Sequence, residues 1–176
     1  MNSIFLALEQ LRTQLSQALP AAPGIRHFDV SFPLNDAFDP LAWLGEQQCY
    51  PQFYWQQRNG DEELAALGAV TQFSSLALAS QFLRAQNAAS DTRICGLNAF
   101  NPEQGSLFLP RLLWRRTAGN ATLRLQLWSD RSLVEDARAA LDFLQQLRPA
   151  RSIRPLSVQV EHETHQPQQA EWLKLI

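Results

Sequence analysis

The chain has 176 residues and a mass of 19.9 kDa, the size of one ordinary domain or of one lobe of a larger protein. With 45% hydrophobic and 18% charged residues it is not a disordered chain. Its 15 basic against 17 acidic residues leave a net charge of −2, which removes the electrostatic case for nucleic acid or an anionic membrane as main partner. Two cysteines, Cys49 and Cys95, are too few for a disulfide framework and lack metal-ligand spacing.

Met1 to Leu19 carries Glu9 and Arg12 inside its apolar stretch and has no basic n-region, so it does not read as a secretory signal. No run approaches the roughly 18 consecutive apolar residues of a spanning helix, and a cytoplasmic protein with reduced thiols is expected. Residues 3–18 read instead as an amphipathic helix, with Ile4, Leu8, Leu11 and Leu15 on one stripe and Pro20 after its end. Its polar face is rich in Gln and holds only Arg12 as a cation, which favours packing on its own domain over a membrane surface. After the Pro23-Gly24 turn, Phe28, Val30 and Phe32 alternate with His27, Asp29 and Ser31, as in a half-buried strand. Asp39-Pro40 then caps and opens a short helix to Gln47.

Phe53 to Gln57 and about Leu64 to Phe73 read as two strands joined at Arg58-Asn59-Gly60-Asp61, where Asn-Gly predicts a type I′ hairpin turn. Gly68 inside the second strand marks a bulge or a close approach to the backbone. Ser74 or Ser75 caps a helix with Leu78, Phe82 and Leu83 inward. Short strands follow at Arg93–Ala99 and from Leu107 to Arg116, and a turn at Ala118-Gly119-Asn120 leads into Thr122–Ser129. A helix from Ser129 or Asp130 to about Leu147 places Leu133, Ala137, Leu141 (or Ala140) and Leu144 in register, and Leu156, Val158 and Val160 suggest one more strand. Hairpins separated by single helices, without βαβ alternation, predict an α+β fold: an antiparallel sheet with helices packed on one face. From Gln168 to Ile176 a helical pattern with Trp172 and Leu173 stops without cap or polar tail, which reads as a polypeptide cut in mid-element.

Chemistry is sparse. The seven glycines are solitary, so no loop offers successive amides to a phosphate. His162-Glu163-Thr164-His165 is not HExxH, and a solvated loop is favoured over a zinc site. Cys49 and Cys95 lack neighbouring His or Lys and read as inert thiols. Asp61-Glu62-Glu63 read as a solvated loop, and Glu135 and Asp136 as helix N-terminal acids suited to the macrodipole. Fourteen of the fifteen basic residues are arginine, and the one lysine, Lys174, gives no sign of a catalytic environment. Arg111, Arg115 and Arg116 beside Trp114 are an anion-site candidate, but consecutive strand residues face opposite ways and a sheet-surface role is favoured.

One resemblance runs through nearly all of the chain. Tyr50-Pro51-Gln52-Phe53-Tyr54-Trp55-Gln56-Gln57-Arg58-Asn59-Gly60-Asp61-Glu62-Glu63 with Leu67-Gly68-Ala69 resembles the N-terminal region of bacterial menaquinone-specific isochorismate synthases. Pro23-Gly24-Ile25-Arg26, Gly96-Leu97-Asn98-Ala99-Phe100 and Leu109-Pro110-Arg111-Leu112 are similar as well. The resemblance implies one lobe of the two-sheet sandwich of chorismate-utilising enzymes, and for the whole enzyme a Mg2+-dependent conversion of chorismate to isochorismate. The family's catalytic lysine, its acid glutamate and its metal-holding glutamates would lie beyond Ile176. Accordingly no catalytic, cofactor-binding or metal residue is expected here, and Lys174 is not matched to the family's lysine. The implied division is an N-terminal lobe at 1–165 and, at 166–176, the start of a helix leading into a C-terminal chorismate-binding domain, the expected partner. Two alternatives stay open: a free-standing binding module with a pocket of Phe53, Trp55, Trp114 and Arg111, or the lobe of a related salicylate or anthranilate synthase.

Overall fold

The computed structural model describes residues 3–17, 19–33, 38–101, 103–117 and 119–148. The strand expected around Leu156–Val160, the terminal helical pattern and the 165/166 boundary lie outside them.

The elements run α1 (Ser3–Gln17), β1 (Gly24–Pro33), α2 (Pro40–Gly45), β2 (Gln52–Gln56), β3 (Glu62–Phe73), α3 (Leu76–Ala85), β4 (Cys95–Asn98), β5 (Gly105–Thr117), β6 (Asn120–Ser129) and α4 (Val134–Gln146). The strands form one antiparallel sheet in the order β1-β6-β5-β3-β2, with β4 added to β5. β3 follows one edge of β5 from Leu107 to Thr117. The other edge is shared, β4 taking Gly105–Phe108 and β6 taking Leu112–Thr117. The expected α+β class, with an antiparallel sheet, is the observed one.

The core follows from the period-2 and period-3.6 patterns meeting. Val30, Leu123, Trp114, Ala65 and Tyr54 lie in one cross-strand row, and Phe28, Leu125, Leu112 and Leu67 in the next. Onto these rows pack the α1 stripe of Ile4, Leu8, Leu11 and Leu15, then Trp43 and Leu44 of α2 and Ala137, Ala140 and Leu144 of α4. Phe38 stacks obliquely between Trp43 and Trp114, at 5.9 and 5.4 Å. Burying each leucine is worth about 1.5–3 kcal/mol, so the stripe outweighs the weak intrinsic stability of a 15-residue helix. Asp39 caps α2 as expected, accepting from the Leu41 and Ala42 amides. Among the described residues no helix is long and apolar enough to cross a membrane.

Three local expectations change. The β2–β3 hairpin forms, but only Gly60 is left-handed (φ +79°) and Asn59 is not, so the turn is not type I′. Its connection is longer: the Gly60 amide donates to Gln57 O (2.8 Å) and the Gln57 amide to Glu62 O (2.8 Å). In α3, capped by Ser75, Ala79 is the buried residue, Phe82 and Leu83 are half-buried, and Leu78 is 48% exposed. The Phe82 ring against Phe73 and Trp128 sets which face turns inward. α4 starts at Val134, because Ser129 and Ser132 accept the Arg131 and Val134 amides in local turns that delay the helix.

Gly68 meets both readings of its sequence position. The β3–β5 register shifts just beyond it, its φ is +64°, and an added Cβ would lie 2.8 Å from the Phe143 ring of α4. Gly68→Ala is therefore expected to cost about 1–3 kcal/mol, read as a lowered urea midpoint with unchanged slope.

Candidate functional site

Strand alternation should send Arg111 and Leu112 to opposite faces, yet both turn toward the helices: Leu112 joins the core and Arg111 reaches Asp136 in the first turn of α4. The facing pair behaves alike, with Leu67 in the same core and the empty Cβ position of Gly68 aimed at Phe143. Arg111 chelates Asp136, Nη1 to Oδ2 at 2.7 Å and Nη2 to Oδ1 at 2.5 Å, and Nη1 also donates to Gln126 O at 2.9 Å. Asp136 Oδ2 further accepts the Trp128 amide, and Gln126 Nε2 donates to Pro110 O. These bonds occupy the fork where the β5–β6 ladder ends at Leu112 and Leu125, and they engage backbone groups of Pro110, Gln126 and Trp128 there. Asp136 is thus more than a macrodipole acid, and Arg111 is not available to an anion.

The opposite face carries a second apolar cluster, Leu64, Ala66, Cys95, Phe108 and Leu113, with Phe53 and Ala69 packed against it. No residue of a described helix belongs to it. Beside it lies a cavity of about 210 Å3, walled by Asp29 and Ser31 of β1, Leu113, Arg115 and Thr117 of β5, Thr122 and Arg124 of β6, and Asp91. Arg124 chelates Asp29 (Nε–Oδ1 and Nη2–Oδ2, both 2.8 Å) and donates through Nη2 to Asp91 Oδ2 at 2.6 Å. These bonds raise the Arg124 guanidinium above its ordinary range and hold the Asp91 carboxyl below its own. A shallower groove of about 940 Å3 runs along α3 between Arg84 and Glu103.

The remaining sequence candidates fall into structural roles. Glu62 and Glu63 are not a solvated loop: they begin β3, Glu62 pairing with Arg115 (2.7 Å) and Glu63, 6% exposed, with Arg116 (3.0 Å). Glu63 also accepts the Tyr54 hydroxyl proton at 2.7 Å. Burial, with this hydrogen bond next, pushes the Tyr54 phenol up to about 12. Cys95 is buried, and desolvation raises its thiol to about 12; burial raises Cys49 as well. Both are poor nucleophiles. Phe53, Trp55, Trp114 and Arg111 share no pocket: Trp114 is 1% exposed in the helix-side core, whereas Phe53 packs on the other face. Among the described residues no three His, Cys, Asp or Glu side chains converge on a metal position. His162, His165 and Lys174 lie outside the described residues.

The site is therefore an architectural one, a lobe whose buried charges tie sheet to helices and whose second face is apolar beside a charged cavity. No family model matches the chain. Among curated proteins it is 53% identical over 176 residues to isochorismate synthase MenF of Escherichia coli (strain K12), covering all of this chain and 41% of that protein. It is 31% identical over 140 residues to isochorismate synthase MenF of Pasteurella multocida (strain Pm70), covering 79% of this chain and 31% of that one. The solved structure of MenF, the menaquinone-specific isochorismate synthase from E. coli, superposes with a TM-score of 0.83 over 99% of this chain and 41% of that chain. Over its whole length the chain is similar to isochorismate synthases, in line with its sequence resemblance, and it spans about two-fifths of the length of the E. coli relative.

Asp136→Ala leaves the Arg111 guanidinium buried without its counter-charge, and a loss of about 3–5 kcal/mol is expected in denaturant unfolding. Tyr54 has a raised folded-state pKa, so its contribution is intact below the ordinary phenol pKa and is lost as pH rises through about 12. Absorbance titration should show a phenolate step near pH 12 that Tyr54→Phe removes.

Proposed function

We propose that this chain is the N-terminal structural lobe of an isochorismate synthase, whose whole polypeptide converts chorismate to isochorismate for menaquinone biosynthesis in the cytoplasm. The reading is carried by one observation: 53% identity and a common fold extend over the chain's full length while covering only 41% of the relative. The residues agree with a supporting role. Five carboxylates on and around the sheet are engaged by arginines, Asp29 and Asp91 by Arg124, Glu62 by Arg115, Glu63 by Arg116 and Asp136 by Arg111. General acid–base catalysis needs a carboxyl free to exchange a proton with substrate, and these are committed elsewhere.

The same commitment bears on Mg2+, which this reading places in the whole enzyme. A hard divalent cation wants several carboxylate or carbonyl oxygens around one point, and the described residues do not supply that set, so no step is assigned to it here. In this reading the catalytic and metal residues come from the rest of the polypeptide, and so does the chorismate site. The lobe's part is to hold the helix-free face in shape, its cluster around Leu113 buried within the chain and its exposed apolar rim at Leu97 meeting that remaining region.

The test is isochorismate formation from chorismate with Mg2+, followed by product chromatography. The chain alone should give no turnover, and the chain fused to the region of the E. coli relative that it does not cover should give isochorismate. Turnover by the chain alone, abolished by an alanine substitution within it, would falsify the reading. Salicylate or anthranilate as the product of the chain's own full-length protein would instead assign the lobe to a related enzyme.

A further inference from the structure

The geometry points to a latch: residues 86–94, which connect α3 to β4, form a strap held to the helix-free face by the Asp91–Arg124 contact. Three observations carry this. The backbone bonds along the strap are local, Gln86 N–H to Phe82 O, Asn87 N–H to Arg84 O, Ala88 N–H to Leu83 O and Thr92 N–H to Ala89 O, so no ladder fastens it. Among the described residues, Asp91 is the strap side chain hydrogen-bonded to the sheet, since Arg93 turns back onto Ser90 O. Asp91 is also the one lining residue of the 210 Å3 cavity that does not come from a strand.

The receiving side is built independently of the strap. Asp29 and Arg124 are direct cross-strand partners in the β1–β6 register, and their two-point chelation fixes the guanidinium whether Asp91 is present or not. His27 lies on the same side, its Nε2 4.0 Å from Asp29 Oδ2, and Arg115, across the cavity, is occupied by Glu62. Asp91 borrows Nη2 from a pair that does not need it, and its side chain is 47% exposed. Opening therefore strands no buried charge, whereas it removes one wall of the cavity and frees the lead into Cys95, a member of the apolar cluster. The inference concerns this chain's own motion and does not depend on the enzymatic reading.

Hydrogen exchange read by mass spectrometry tests it on the 176-residue chain. In Asp91→Asn, amides of residues 88–94 should exchange about two- to fivefold faster, the scale of a half-exposed ion pair, with the rest of the sheet unchanged. One molar NaCl should move the wild type in the same direction. Asp29→Asn should leave the strap protected, because Arg124 and Asp91 remain. Unchanged exchange over 88–94 in Asp91→Asn would overturn the latch. So would an increase spread evenly over the sheet, or an equal release by Asp29→Asn.

Discussion

The ion pair between buried Arg111 and half-buried Asp136 is the constraint on which the rest of the lobe hangs. Removing two such charges from water costs several kcal/mol each, and the structure offsets this with chelation and with further bonds to Gln126 O and the Trp128 amide. The geometry is possible only because β3 and β5 reverse their facing together. The reversal needs a residue that accepts φ +64° and carries no side chain where Phe143 lies, and Gly68 is that residue. Sheet, fork and α4 thus meet in one knot. Phe143 of α4 fills the Gly68 side of it, and Asp136, two turns earlier on the same helix, ties down the other.

Much of the fold was legible because its determinants are local. The α1 stripe, the Asp39-Pro40 cap and the alternation of β1 each lie within one element, and each element forms where its period is cleanest. The knot was half legible. Gly68 signalled either a bulge or a close approach, but its partner Arg111 sits 43 positions further on, and period-2 reasoning put it on the wrong footing. The acids at 61–63 show the same limit. A charged run reads as solvent-exposed until the register brings Arg116 opposite Glu63 and Arg115 within reach of Glu62. The sequence offers few chemical groupings, His162-Glu163-Thr164-His165 and the carboxylates at 61–63 among them. That Glu62 and Glu63 are held by arginines is a long-range fact, and only the strand pairing reveals it.

Arginine dominates the basic residues for a reason the contacts make plain. Arg111 and Arg124 each offer a planar fork to a carboxylate while a further N–H bonds a third group. An ammonium would satisfy the charge but not the paired directions, and it would carry a larger hydration cost into sites this enclosed. The result is a sheet whose polar residues determine register and strand facing, leaving the leucine rows to supply most of the driving force.

The two faces of that sheet are not equivalent, and the difference is what connects fold to role. An antiparallel sheet with helices on one side ordinarily turns a polar, solvated surface outward on the other. Here Leu64, Ala66, Phe108 and Leu113 are buried on the face to which no described helix contributes, while Leu97, paired through Ser106 into the same sheet, is 73% exposed at its rim. Those side chains are already shielded within the chain, so what this face can still offer another layer is its exposed rim at Leu97. A relative of which this chain is about two-fifths has the polypeptide to provide one, and the charged cavity beside the cluster gives such a layer an orientation as well as an area. The lobe's contribution to catalysis, in the proposed reading, is then mechanical. It fixes the shape of a surface, and the precision of that surface traces back through Leu113 and its neighbour Leu112 to the Arg111 knot on the other side of the same strand.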